Sequence, residues 1–132
     1  MYKIWHKELS VILDCEIGDG CIIHSHCWIG DKVKIGDRTK VQAMCFIPEG
    51  VEIGSDCFIG PGVKFTNDKA MGSGRENWLK TIVRDKVKIG ANSTILPGIE
   101  IGEGAIIGAG SVITKDVPAG EVWAGPQATK LK

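Results

Sequence analysis

An aliphatic or aromatic side chain returns at every sixth position from Val11 through Ile17, Ile23, Ile29, Ile35, Val41, Ile47, Ile53 and Ile59 to Phe65. The rhythm resumes at Val83 and holds through Ile89, Ile95, Ile101, Ile107 and Ile113, still in phase with the first run. Apolar residues at this period drift around a helix of about 3.6 residues per turn and form no stripe, so a helical reading fails. They do fit strand alternation. In units such as Val33-Lys34-Ile35 and Cys57-Phe58-Ile59 the first and third side chains share a face, and those two point inward. Gly-Asp, Gly-Pro, Pro-Glu and Gly-Glu pairs between the units are turn formers. Strands this short with corners this tight predict an all-β parallel β-helix of hexapeptide repeats, whose stacked coils bury one continuous core.

The pairs Ile17-Gly18, Ile29-Gly30, Ile35-Gly36, Ile53-Gly54, Ile59-Gly60, Ile89-Gly90, Ile101-Gly102 and Ile107-Gly108 resemble the hexapeptide acyltransferases. The resemblance covers nearly the whole chain. It implies a left-handed β-helix with three hexads per coil; the handedness comes from the resemblance alone, because parallel crossovers are as a rule right-handed. Residues eighteen apart should then stack at about 4.8 Å. Three outward columns follow. Glu16, Lys34 and Glu52 alternate in charge on a solvated face. Trp28, Phe46 and Lys64 form a second column, and Ile22, Lys40 and Phe58 a third. Those two leave apolar groups that neighbouring subunits would cover, and a homotrimer is expected, as the family forms.

One domain is expected over residues 1–132. The lattice is interrupted at 66–82 by the excursion loop TNDKAMGSGRENWLKTI, and a cap over 118–132 closes the far end. Loops thrown from a rigid solenoid tend to carry binding functions. The first coil begins near the N-terminus, and no separate nucleotide-binding domain ahead of it is expected.

Composition narrows the class. Lysine plus arginine and aspartate plus glutamate both number 16, so no basic surface for nucleic acid is indicated. No apolar run approaches the roughly 20 residues that span a bilayer, and a cytoplasmic protein without membrane association is expected. Cys15, Cys21, Cys27, Cys45 and Cys57 each stand four places after a lattice residue, where Val33, Val51 and Val63 stand elsewhere. They read as core fillers, and no Cys or His cluster suggests a metal.

Phe65-Thr66-Asn67-Asp68, preceded by Phe58-Ile59-Gly60-Pro61, is similar to the subfamily that N-acetylates nucleotide-linked amino sugars, especially 3-amino sugars for surface polysaccharides. Lys40-Val41-Gln42, Gly90-Ala91-Asn92-Ser93-Thr94-Ile95, Gly108-Ala109-Gly110-Ser111-Val112 and Thr114-Lys115-Asp116-Val117-Pro118 fit it in order. The resemblance implies acetyl-CoA as donor, in a groove between adjacent helices of the trimer. Gly90, Ala91, Asn92, Gly108, Ala109 and Gly110 would line the pantetheine path, and Lys115 would meet a CoA phosphate. The resemblance implies that Asn67 lies beside the reacting amine, where its amide would orient the nucleophile, and Asp68 would hold an ammonium or a sugar hydroxyl. His24, Gln42, Trp28 and Phe46 are substrate-binding candidates.

Many members use a histidine base, so His26 is kept as a catalytic candidate. In the related bacillosamine-type enzymes the histidine stands two places after the lattice aliphatic, where this chain has Ser25. The 3-amino sugar enzymes are thought to need no histidine, the departing thiolate taking the proton, and that scheme is favoured here. Alternatives are O-acetylation of another small acceptor and a non-catalytic β-helix scaffold. A γ-class carbonic anhydrase shares the fold but needs a His-x-x-x-x-His pair, which is absent.

Overall fold

The computed structural model describes residues 1–132 as a left-handed parallel β-helix of triangular section, three short parallel sheets wrapped around one core. The first face stacks Lys3–Ile4, Ile22–Ile23, Lys40–Val41, Phe58–Ile59, Lys88–Ile89, Ile106–Ile107 and Val122–Ala124, and antiparallel Thr129–Lys130 closes its end. On the second face lie Val11–Ile12, Trp28–Ile29, Phe46–Ile47, Lys64–Phe65, Thr94–Ile95 and Val112–Ile113. The third is built from Glu16–Ile17, Lys34–Ile35, Val51–Ile53, Thr81–Val83 and Glu100–Ile101.

The inward residues meet as the six-residue period requires. Ile23, Ile29, Ile47, Ile59, Ile89, Ile95, Ile101, Ile107 and Ile113 all lie at or within 1% exposure in a single cluster of 27 buried residues. Burying each such side chain contributes about 1.5–3 kcal/mol, which explains why two-residue strands hold without helices to cover them. The three outward columns also form as expected, with Glu16 over Lys34 over Glu52, Trp28 over Phe46 over Lys64, and Ile22 over Lys40 over Phe58.

Two expectations are corrected at the edges of the repeat. Val11 is not an inward beat: it pairs with Trp28 and points outward, while Ile12 pairs with Ile29 and packs on the core. The chain reaches this strand through a 3-10 turn at Lys7–Leu9, and the end coil, with a neighbour on one side only, keeps no strict period. The excursion is also shorter than 66–82. Thr81 already stands on Val51 with no exposure, and its N–H donates to the Gly50 carbonyl at 2.9 Å, so the wall resumes there and the loop is 66–80.

All five cysteines are free thiols, buried except for half-buried Cys15. Their slot asks for more than small size. Cys21 and Cys45 donate through Sγ to the carbonyls of Gly36 and Gly60 at 2.8 and 3.1 Å, just as Thr39 and Ser93 donate to those of Gly54 and Gly108 at 2.7 and 3.1 Å. Each ties a strand start to the corner of the next coil. Burial pushes the thiols of Cys15, Cys21 and Cys57 above their ordinary range.

At the corners His26, Lys32 and Met44 adopt left-handed backbone with φ of 61, 61 and 63°. That conformation costs a residue with a Cβ about 1–2 kcal/mol. The N–H it turns outward offsets the cost: Lys32 donates to Asp14 at 2.7 Å and Met44 to Ser25 at 3.1 Å, one coil away. No helix is long and apolar enough to cross a membrane, and no group of three His, Cys, Asp or Glu side chains is placed to hold a metal ion.

Candidate active site

The second face supplies the floor of the site. Trp28 and Phe46 stand one above the other with ring centroids 6.2 Å apart and planes at 29°, because parallel stacking repeats the outward position in every coil. Each ring leaves about two fifths of its surface exposed, at 41% and 38%.

One edge of this floor is the corner that gives rise to the excursion. Asp31, Glu49 and Asn67 occupy the same place there in consecutive coils, and the excursion folds back to bring Arg75 and Trp78 to them. With Leu13 and Pro48 they enclose a cleft of about 310 Å³ over the two aromatic rings.

Asn67 is 9% exposed, and its orientation is fixed from two directions. Its Nδ2 donates to the Glu49 main-chain carbonyl at 2.9 Å, while its own carbonyl accepts the Leu79 N–H at 2.8 Å where the excursion returns. The Oδ1 has no partner within the chain and is open to the cleft. A carboxamide held by its donor end presents its acceptor end to whatever enters. Beside it the Glu49 carboxylate receives both Arg75 Nε, at 3.1 Å, and Arg75 Nη2, a bidentate clamp that raises the guanidinium above its ordinary value. The guanidinium carbon also lies 6.0 Å from the Trp78 ring centroid.

Asp68 is turned away from this cleft. Its Oδ1 accepts the Ala70 N–H at 3.1 Å and the Ser73 hydroxyl at 2.7 Å, and its Oδ2 accepts the N–H groups of Gly72 and Ser73 at 2.6 and 2.8 Å. These bonds, led by the Ser73 hydroxyl, hold its carboxyl below the usual range. Asp68 therefore organises the excursion, in place of the expected contact with an ammonium, because the loop consumes both oxygens.

The opposite edge of the floor is a ridge of stacked corners. Its successive coils present His24-Ser25-His26, Gln42-Ala43-Met44, Gly60-Pro61-Gly62, Gly90-Ala91-Asn92 and Gly108-Ala109-Gly110, joined by Met44 N–H to Ser25, Gly62 to Ala43, Asn92 to Pro61 and Gly110 to Ala91 at 3.1, 2.9, 2.9 and 2.7 Å. A Cβ on Gly90 would lie 2.7 Å from the Ala109 Cα, so the ridge stacks this closely only with glycine there. His26 is exposed at the ridge with Nδ1 2.9 Å from Ser25 Oγ, and it borders an open groove with Leu9, Met44 and Lys64.

Within one chain the structure thus gathers Asn67, Trp28 and Phe46, and sets His24, His26, Gln42 and the glycine ridge on the far edge of the same face. Lys115 belongs to neither group. It leaves the excursion's corner near the C-terminal end, where its Nζ lies 5.5 Å from the Trp123 ring centroid. Sequence reasoning passed over Leu13, Asp31, Pro48, Glu49, Arg75 and Trp78. The eighteen-residue step from 31 to 49 to 67 is present in the sequence and relates these three corner positions, whereas no spacing marks 75 or 78.

Residues 32–67 and 80–115 match the family model for bacterial transferase hexapeptide (six repeats). No curated protein matches the chain in sequence. Among solved structures, the H141N mutant of perosamine N-acetyltransferase from Caulobacter crescentus in complex with CoA and GDP-perosamine superposes with a TM-score of 0.83 at 21% identity, over 94% of this chain and 54% of that one. The acetyltransferase domain of PglB from Neisseria gonorrhoeae gives 0.85 at 20% identity, over 99% and 58%. A hexapeptide-repeat acetyltransferase from Vibrio cholerae complexed with acetyl-CoA gives 0.68 at 25% identity, over 96% and 72%. The chain spans little more than half the length of the first two.

Proposed function

Because the chain belongs to the bacterial transferase hexapeptide family, we propose that it is an acetyl-CoA-dependent N-acetyltransferase whose acceptor is a nucleotide-linked amino sugar. The observation that carries this reading is the free Asn67 Oδ1 facing a cleft floored by Trp28 and Phe46. A sugar ring lays its apolar face on aromatic rings, and its amino N–H then meets a fixed acceptor. Structures with CoA, GDP-perosamine or acetyl-CoA bound to proteins of this fold support the choice of donor and acceptor class.

The reaction needs the amine neutral. Asn67 Oδ1 accepts one amine N–H and turns the nitrogen lone pair toward the thioester carbonyl. The C–N bond forms, the tetrahedral oxyanion collapses with cleavage of C–S, and the departing thiolate takes the amine's surplus proton. No general base is required, and His26 is a ridge residue in this scheme.

The cleft and the ridge lie on opposite edges of one face, so a single chain does not bring acceptor and donor together. In a homotrimer the cleft of one copy faces the ridge of the next. The ridge would then carry the pantetheine arm along Gly90, Ala91, Asn92, Gly108, Ala109 and Gly110, with the main-chain N–H groups of Ala91 and Ala109, unpartnered within the chain, as its donors. A panel of nucleotide-linked 3-amino and 4-amino sugars mixed with acetyl-CoA tests the reading by release of free thiol. No thiol release from any member would overturn it, as would a monomeric mass by light scattering for the shared site.

A further inference from the structure

The cleft holds three charged side chains, and two of them cancel. Arg75 closes on Glu49 through Nε and Nη2, so the two charges offset each other within the cleft. The remaining charge is Asp31, a half-buried residue of the cleft lining. Its Oδ1 accepts the Asp14 N–H at 3.1 Å, and its Oδ2 has no partner within the chain. Asp31 and Asn67 therefore line the same cleft with Trp28 and Phe46, and each has one oxygen without a partner within the chain. Asn67 is more than nine-tenths buried, so its unpaired oxygen is not an ordinary surface group.

We propose that Asp31 is the substrate-binding carboxylate that recognises the primary amino group of the acceptor, sharing its N–H donors with Asn67. The inference rests on the reading of the cleft as an amine-acylation site, and it gives Asp31 the task first expected of Asp68. A carboxylate outside any ion pair, a carboxamide oxygen and two aromatic rings all attract a cation bearing several N–H donors. The same charge repels a diphosphate. The amino sugar therefore enters the cleft amine first, and the nucleotide diphosphate stays outside its mouth. A primary amine keeps N–H donors in both protonation states, so contact persists when the ammonium gives up the proton that blocks its attack. Hydroxyl acceptors offer one donor and no charge, which sets O-acetylation at a disadvantage here.

The test titrates the full chain with glucosamine at about pH 6, where the amine is charged, and follows tryptophan fluorescence, with glucose and N-acetylglucosamine as uncharged analogues. Saturable quenching by glucosamine alone is expected, weakened about tenfold in Asp31→Asn, which retains the oxygen that accepts the Asp14 N–H. Thermal unfolding of the variant should match the wild type, which separates ligand contact from a structural role. Equal affinity of the variant for glucosamine, equal affinity of the wild type for glucose, or absence of saturation overturns the proposal. Asp31-dependent glucosamine binding without thiol release from any amino-sugar nucleotide retains it and sinks the acetyltransferase reading; undiminished thiol release by Asp31→Asn does the reverse.

Discussion

Asn67 and Glu49 are eighteen residues apart and joined by a 2.9 Å hydrogen bond from the Asn67 amide nitrogen to the Glu49 main-chain carbonyl. The bond spans two neighbouring coils at the place where the excursion departs, so it fixes the amide and anchors the loop at once. A side chain held through its donor leaves only its acceptor to the cleft.

Asn67→Ala should lower kcat with the best amino-sugar acceptor about a hundredfold, the size of effect seen when one preorganised polar group is removed from an acyl-transfer site. Steady-state thiol release measures it. His26→Ala should leave kcat within a few-fold, since His26 lies on the other edge of the face. Full activity in Asn67→Ala with loss in His26→Ala replaces the base-free scheme with a histidine base.

Glu49→Gln should loosen the excursion without unfolding the solenoid. The substitution keeps the main-chain carbonyl that holds Asn67 and removes the charge that clamps Arg75. Hydrogen exchange at residues 69–79 should speed up while the strands keep their protection, and KM for the acceptor should rise more than kcat falls.

Acidification should open the same loop through Asp68. Its folded pKa lies below its ordinary value, so the stabilisation is fully present above that ordinary value, about 3.9, and is lost as pH falls through the lower folded one. Protection factors of the loop, which divide out the intrinsic pH dependence of amide exchange, should therefore stay high at neutral pH and fall only in that acid window. Asp68→Asn should remove this pH dependence and leave protection low throughout.

Ile59→Ala should cost about 2–5 kcal/mol of stability in urea unfolding, since Ile59 has no exposed surface and a rigid stack cannot collapse onto the gap. Cys45→Ser should cost less, because a hydroxyl reproduces the bond to the Gly60 carbonyl as Thr39 and Ser93 do to theirs. Thiol labelling of the native protein should reach Cys15 first.

Gly90→Ala and Gly110→Ala should separate. The first drives a methyl against the Ala109 backbone and should disrupt the ridge. Gly110, with φ of 68°, has open space around a Cβ and should lose only about 1 kcal/mol for left-handed backbone, read as a small shift in melting temperature.

The six-residue period by itself determined the inward residues from Ile17 onward and the role of the cysteines as core, and the three outward columns followed once the family resemblance supplied three hexads per coil. It could do so because each coil is copied onto the next, and a local pattern repeated in phase leaves the core no second arrangement. Asn67 was singled out by the family resemblance of its motif just past the break in the rhythm, and its burial became visible only in the structure. Where copying stops, the period lost its authority. Val11 turned outward at the open end, and Thr81 rejoined the wall two residues early. Only the tertiary structure decided what the excursion does, because Arg75 and Trp78 reach Glu49 through a path with no repeat, and the loop's own N–H groups claim Asp68. It also decided that Asp31 and Asn67 share a cleft while the histidines and glycines line the other edge. Which corner a residue occupies depends on how the coils are stacked, and a six-residue rhythm is the same on all three.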